Sequence, residues 1–123
     1  MDVYISGVGM TKFGRSKEPL EKMMAEAASS ALKLARLERV DAIYIGVMSV
    51  EEFVGDSNFA TLLTDTLGLT GVPSTRVETA SSTGAGAFEA LGIERYISTA
   101  LSTGNKGSRS PWTMRVFAVI VER

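Results

Sequence analysis

Ser81, Ser82 and Thr83 stand in a row between an extended-looking run, Ser74 to Thr79, and an apolar stretch rich in Ala and Gly. Hydroxyl side chains at the mouth of a helix are good caps for its unpaired N–H groups. The positive dipole end found at that place also suits a nucleophile. A serine hydroxyl, however, is too weakly acidic to be ionised by that field and needs an adjacent base. The chain has no histidine and no cysteine. Disulfides, thiolate nucleophiles, Cys/His zinc sites and imidazole acid–base chemistry are therefore closed to it. Catalysis by this chain alone would rest on Ser, Thr, Lys, Tyr, Asp or Glu.

The remaining chemical candidates are weaker. Gly7-Val8-Gly9 follows a strand-like run, as the glycines of a dinucleotide fingerprint do. The third glycine would fall at Lys12, and the next helix starts too late. Lys12 and Arg15 are expected to be solvated loop charges, Glu51-Glu52 a solvated loop pair, and Met23 and Met24 core or interface filler. Two acids without a third ligand make a poor metal site. Glu78 is placed to hydrogen-bond locally, with nothing in the sequence to make it titrate unusually. Gly84 and Gly86 read as packing positions, since a missing side chain lets a helix approach its neighbour.

These positions need elements to hold them. Val3 to Gly9 reads as a short strand running into a glycine turn. From Pro19 to Leu37, apolar residues recur three or four apart (Leu20, Met24, Ala27, Ala31, Leu34), which predicts a helix capped by Ser16. Ala42 to Val47 is a continuous apolar run, expected for a strand buried on both faces. Asp56 or Ser57 is the expected cap of a second helix that ends at Gly68. Ser74 to Thr79 is the third strand, and a third helix runs from Ser81 to Leu91. Strands alternating with helices predict a layered α/β fold with mainly parallel strands and right-handed crossovers.

Beyond residue 91 the pattern dissolves. Gly92 to Thr113 is polar and without periodicity, and Val116 to Val121 is one last strand-like run. Residues 1–90 carry 8 Lys+Arg against 12 Asp+Glu, whereas residues 91–123 carry 5 against 2. Two readings of 92–123 stand side by side: a surface loop followed by an edge strand, or a foreign tail left by truncation or a frameshift. The net charge of −1 gives no global reason to bind nucleic acid or an anionic membrane. No run reaches the ~20 apolar residues that span a bilayer. The opening residues lack the basic and apolar pattern of a secretory signal, so a cytoplasmic location is expected.

Three stretches together resemble one family. They are Val3-Tyr4-Ile5-Ser6-Gly7-Val8-Gly9-Met10-Thr11-Lys12-Phe13-Gly14-Arg15, Val40-Asp41-Ala42-Ile43-Tyr44-Ile45-Gly46, and Val77-Glu78-Thr79-Ala80-Ser81-Ser82-Thr83-Gly84-Ala85-Gly86-Ala87. In order and spacing they are similar to the thiolase superfamily, in its sterol-carrier-protein-x and archaeal acetyl-CoA acetyltransferase-like branch. The resemblance covers residues 1 to about 91 and implies part of the N-terminal half of a thiolase-like fold. It also implies acyl transfer between coenzyme A thioesters, with the thioester as substrate and no bound cofactor. Ser81 falls where the family keeps its nucleophilic cysteine, with Ala80, Thr83 and Gly84 as the supporting motif. The family's histidines and second cysteine come later in the full-length chain. The resemblance thus leaves three possibilities: a fragment of a longer enzyme, a serine variant whose partner supplies the base, or a non-catalytic scaffold. A β-ketoacyl-synthase-like relative is a further alternative, because that group shares the strand–nucleophile–helix arrangement. Pairing into a homodimer, or joining a thiolase-complex partner, is implied through the strand at about Ser74 to Thr79.

Overall fold

The computed structural model describes residues 4–12, 14–90, 96–103 and 113–122. Six strands form one sheet: β1 (Tyr4–Met10), β2 (Gly14–Arg15), β3 (Ala42–Gly46), β4 (Ser74–Val77), β5 (Tyr96–Thr103) and β6 (Thr113–Glu122). The helices are α1 (Leu20–Ala35), α2 (Val50–Phe53), α3 (Phe59–Thr66) and α4 (Thr83–Glu89). The strand order is β1-β6-β5-β3-β4, with β2 paired to β6. β3 runs parallel to both β4 and β5, while β6 is antiparallel to β5 and to β1. Four of the five main strands therefore point one way, and β6 is the exception. The expected layered α/β architecture holds.

The segment after residue 91 does more than a loop and an edge strand would. β5 lies between β3 and β6, in the middle of the sheet, and β6 is flanked on both sides. The sequence hid β5 because Tyr96-Ile97-Ser98-Thr99-Ala100-Leu101-Ser102-Thr103 alternates apolar and polar residues only loosely. Register supplied by β3 and β6 overrides that weak local preference. Leu91, the expected end of the third helix, and residues 104–112 of the polar stretch lie outside the described residues.

Two helices lean on one face of the sheet. Ile43 and Ile45 point into a core built with Met24, Ala27, Ala28 and Ala31 of α1 and Phe59 and Leu63 of α3. Burying such side chains contributes roughly 1.5–3 kcal/mol for each large one. Gly46 alternates with Ile45 and so faces the other side, where α4 lies. A Cβ on Gly46 would sit 3.0 Å from the Ala87 Cβ and from the Thr83 carbonyl oxygen. The sheet is thus a middle layer, with α1 and α3 on one side and α4 on the other.

Gly7 and Gly9 do not form a turn. They lie inside β1, where a Cβ on Gly7 would come to 2.2 Å from the Ala31 carbonyl oxygen, and one on Gly9 to 2.0 Å from that of Ala27. Alanine-sized steps on α1 and bare α-carbons on β1 let the two backbones meet. Among the described residues the next element is β2 and not a helix, in keeping with the sequence's argument against a dinucleotide site. The intervening residues Val8 and Met10 point to the face that carries α4, and both are exposed, as are Tyr4 on β1 and Phe88 on α4.

Helix ends also correct the expected caps. Ser16 accepts the Glu18 N–H and does not cap α1, whose first carbonyl is that of Pro19. Leu34, expected on the core stripe, is 61% exposed, and Met23 is buried instead. Asn58 takes the N-cap position of α3, while Asp56 only accepts the Asn58 N–H in a local turn. Gly68 ends α3 as expected, at φ 72°, with the Leu69 N–H returning to the Thr64 carbonyl.

Gly9→Ala is expected to lower stability by about 1–3 kcal/mol, as overpacking does. Val8→Ala, on the exposed face, should change it by less than about 0.5 kcal/mol. Urea midpoints measure both, and equal effects would refute the close-approach account.

Candidate functional site

β4 leads through Glu78 and Thr79 into a 3-10 turn, Ala80–Ser82, and then directly into α4. Ser81 lies in that turn, after the strand and before the helix. Ala80 adopts φ 51°, a left-handed conformation that costs a non-glycine residue roughly 1–2 kcal/mol. The chain accepts this bend because hydroxyls behind it close the turn. The Thr79 N–H donates to Thr83 Oγ1 at 3.0 Å, and Thr83 Oγ1 donates in turn to the Ala80 carbonyl at 2.7 Å. Thr83 is only 3% exposed, so each of these polar groups would be costly to leave unpaired.

The expected capping role of these hydroxyls is corrected by this geometry. Ser82 stands at the N-cap of α4 but makes no side-chain cap bond. Its hydroxyl donates backwards to the Thr79 carbonyl at 2.8 Å. Thr83 likewise bonds back into the turn. Gly86 behaves as a packing glycine, since a Cβ there would approach Thr79 Oγ1 to 2.9 Å. Gly84 is half-buried within the first turn of α4.

Arg76, which the sequence reading did not single out, organises the approach to the turn. Its guanidinium pairs with Glu51 of α2 and with Glu78. Glu78 also accepts the Ser49 N–H at 3.0 Å. Glu51-Glu52 is therefore part of a short helix, and Glu51 is not a solvated loop charge. Glu78 departs from the ordinary too: the Arg76 hydrogen bond, helped by the Ser49 N–H, lowers its pKa. The hydrogen bond to Arg76 lowers Glu51 in the same way, and the two carboxylates raise Arg76. A signal was available in the sequence, because Arg76 and Glu78 sit two apart in the run expected as a strand, Ser74 to Thr79, and would share a face there.

What the arrangement can do is limited and specific. It holds a turn residue at a helix mouth, backed by buried hydroxyl bonds. It supplies no strong base, because carboxylates with lowered pKa bind protons less readily. Among the described residues no group of three potential metal ligands occurs, and no helix is long and apolar enough to cross a membrane.

The fold is a thiolase-like α/β fold, seen also in β-ketoacyl synthases. The chain overlays a 3-oxoacyl-[acyl-carrier-protein] synthase III from Aquifex aeolicus with a TM-score of 0.70 at 14% identity, over 99% of this chain and 54% of that one. The priming β-ketosynthase of the R1128 polyketide pathway gives a TM-score of 0.75 at 14% identity, over 98% of this chain and 50% of its own. An acetyl-CoA acetyltransferase from Syntrophomonas wolfei gives 0.65 at 18% identity, over 87% and 32%.

In sequence, the chain is similar to the acetyl-CoA acetyltransferase of Methanocaldococcus jannaschii, 40% identical over 86 residues. The enzyme of the same name from Methanothermobacter thermautotrophicus matches equally, at 40% over 86 residues. These alignments take in 68% of this chain, which spans only 22% of the length of either relative. No protein-family model matches the chain.

Thr83→Val is expected to destabilise by about 1–3 kcal/mol, because it strands the Thr79 N–H and the Ala80 carbonyl. Thr83→Ser, which keeps the hydroxyl, should recover most of that loss in thermal unfolding. A valine variant as stable as the parent would remove the hydroxyl pair from the account.

Proposed function

We propose that the chain is the nucleophile-bearing part of a thiolase-type acetyl-CoA acyltransferase of the sterol-carrier-protein-x and archaeal branch. Ser81 holds the acyl-accepting position, and a coenzyme A thioester is the substrate. The observation that carries this reading is the 40% identity to acetyl-CoA acetyltransferases, joined to a strand–turn–helix junction at Ser81. In the transfer, the nucleophile's oxygen or sulfur bonds to the thioester carbonyl carbon, and the C–S bond breaks. Coenzyme A leaves as its thiol with the nucleophile's proton. With serine at this position and no histidine in the chain, the isolated polypeptide lacks a base for that proton and is inactive alone.

Restoring a thiol separates position from reactivity. Ser81→Cys is expected to gain a hydroxylamine-labile acetyl group from acetyl-CoA, read by mass spectrometry. The rate should be at least tenfold above that of Ser29→Cys, placed on an exposed position of α1. The parent chain should gain none. Equal labelling of the two cysteines would end the acyl-transfer reading in favour of a non-catalytic scaffold.

Self-association through β4 accompanies this proposal. β4 is an edge of the sheet, and an edge presents unpaired backbone groups to a second strand. A homodimer formed there should dissociate in Ser74→Pro, whose N–H faces away from β3, during sedimentation at micromolar concentration. A variant that sediments like the parent would exclude this edge.

A further inference from the structure

Glu78 is the residue at which three segments meet. One carboxylate oxygen accepts the Ser49 N–H, from the loop between β3 and α2, at 3.0 Å. The other takes Arg76, and the second arm of Arg76 reaches Glu51 on α2. Both carboxylate oxygens are thus engaged, by partners that come from different parts of the chain. The next residue, Thr79, opens the bent turn and gives its N–H to buried Thr83. Ser49 itself sits at φ 51°, so the loop that meets Glu78 is bent as sharply as the turn that follows it.

The cluster is poorly suited to holding a ligand. Its guanidinium already faces two carboxylates, so an anionic substrate group would meet net negative charge. Its placement suits a mechanical role instead. A single-residue link separates the Glu78 carboxylate from a turn that must be kept in an unfavourable backbone conformation.

We infer that Glu78 is a positioning residue for the Ser81 turn, and that Arg76 orients it by tying it to α2. This rests on Ser81 being the acyl-accepting position, but the latch itself is measurable without substrate. The readout is amide hydrogen exchange at residues 79–83 of the otherwise unaltered chain. Glu78→Ala and Arg76→Ala should each speed exchange there at least tenfold. The double variant should go little further, because both changes open one latch. Arg76→Lys, which retains the cation, should restore most of the protection.

Several results would overturn the inference: unchanged exchange at 79–83, a rise spread evenly over α1 and β3, or additive effects in the double variant. Equal exchange in Arg76→Lys and Arg76→Ala would do so too. Acetylation of the Ser81→Cys chain reports on the other question. A latch seen by exchange without acetylation would leave the positioning intact and remove only the acyl-transfer reading.

Discussion

The distance between each helix layer and the sheet is set by side chains that are missing. On one face, the α-carbons of Gly7 and Gly9 lie against the backbone of α1, which offers only Ala27, Ala31 and Ala35 at the contact. On the other, Gly46 lies against Thr83 and Ala87. Close packing of this kind has little tolerance, because a single methyl group has nowhere to go. The position of α4, and with it the turn that α4 continues, follows from the second of these contacts. The first fixes β1 and through it the long β6 that joins the two ends of the described chain.

On that frame the turn is assembled locally. A left-handed Ala80 is unfavourable in isolation, and three neighbouring hydroxyl-bearing residues compensate by bonding within the turn instead of capping the helix. Thr83 does this from a buried position, where a hydrogen bond is worth most because water cannot replace it. Glu78 and Arg76 add an exposed layer that ties the same turn to α2. Exposed ion pairs contribute little to overall stability, and their value here lies in which segments they join.

Much of this was legible in the sequence. The spacing of Leu20, Met24, Ala27 and Ala31 marked α1, the apolar run from Ala42 marked β3, and Gly68 marked the end of α3. The strand–turn–helix around Ser81 was legible because strand-like residues give way abruptly to Ala and Gly. What escaped depended on partners distant in the chain. β5 is a strand because β3 and β6 flank it, and no local pattern announces that. Gly7 and Gly9 look like a turn until α1 is seen lying across them. The tie between Arg76 and Glu51, 25 positions earlier, exists only once the fold brings α2 beside β4.

The side of the sheet that carries α4 is apolar at several exposed positions. Ala85 and Phe88 are exposed on α4, and the backbone position of Ser81 continues their stripe one turn toward the N-terminus. Val8 and Met10 lie on the same side of the sheet. β6 stands between β1 and the strands that α4 packs on, so these apolar residues form two separate groups on that face, and a cover over one does not by itself shield the other.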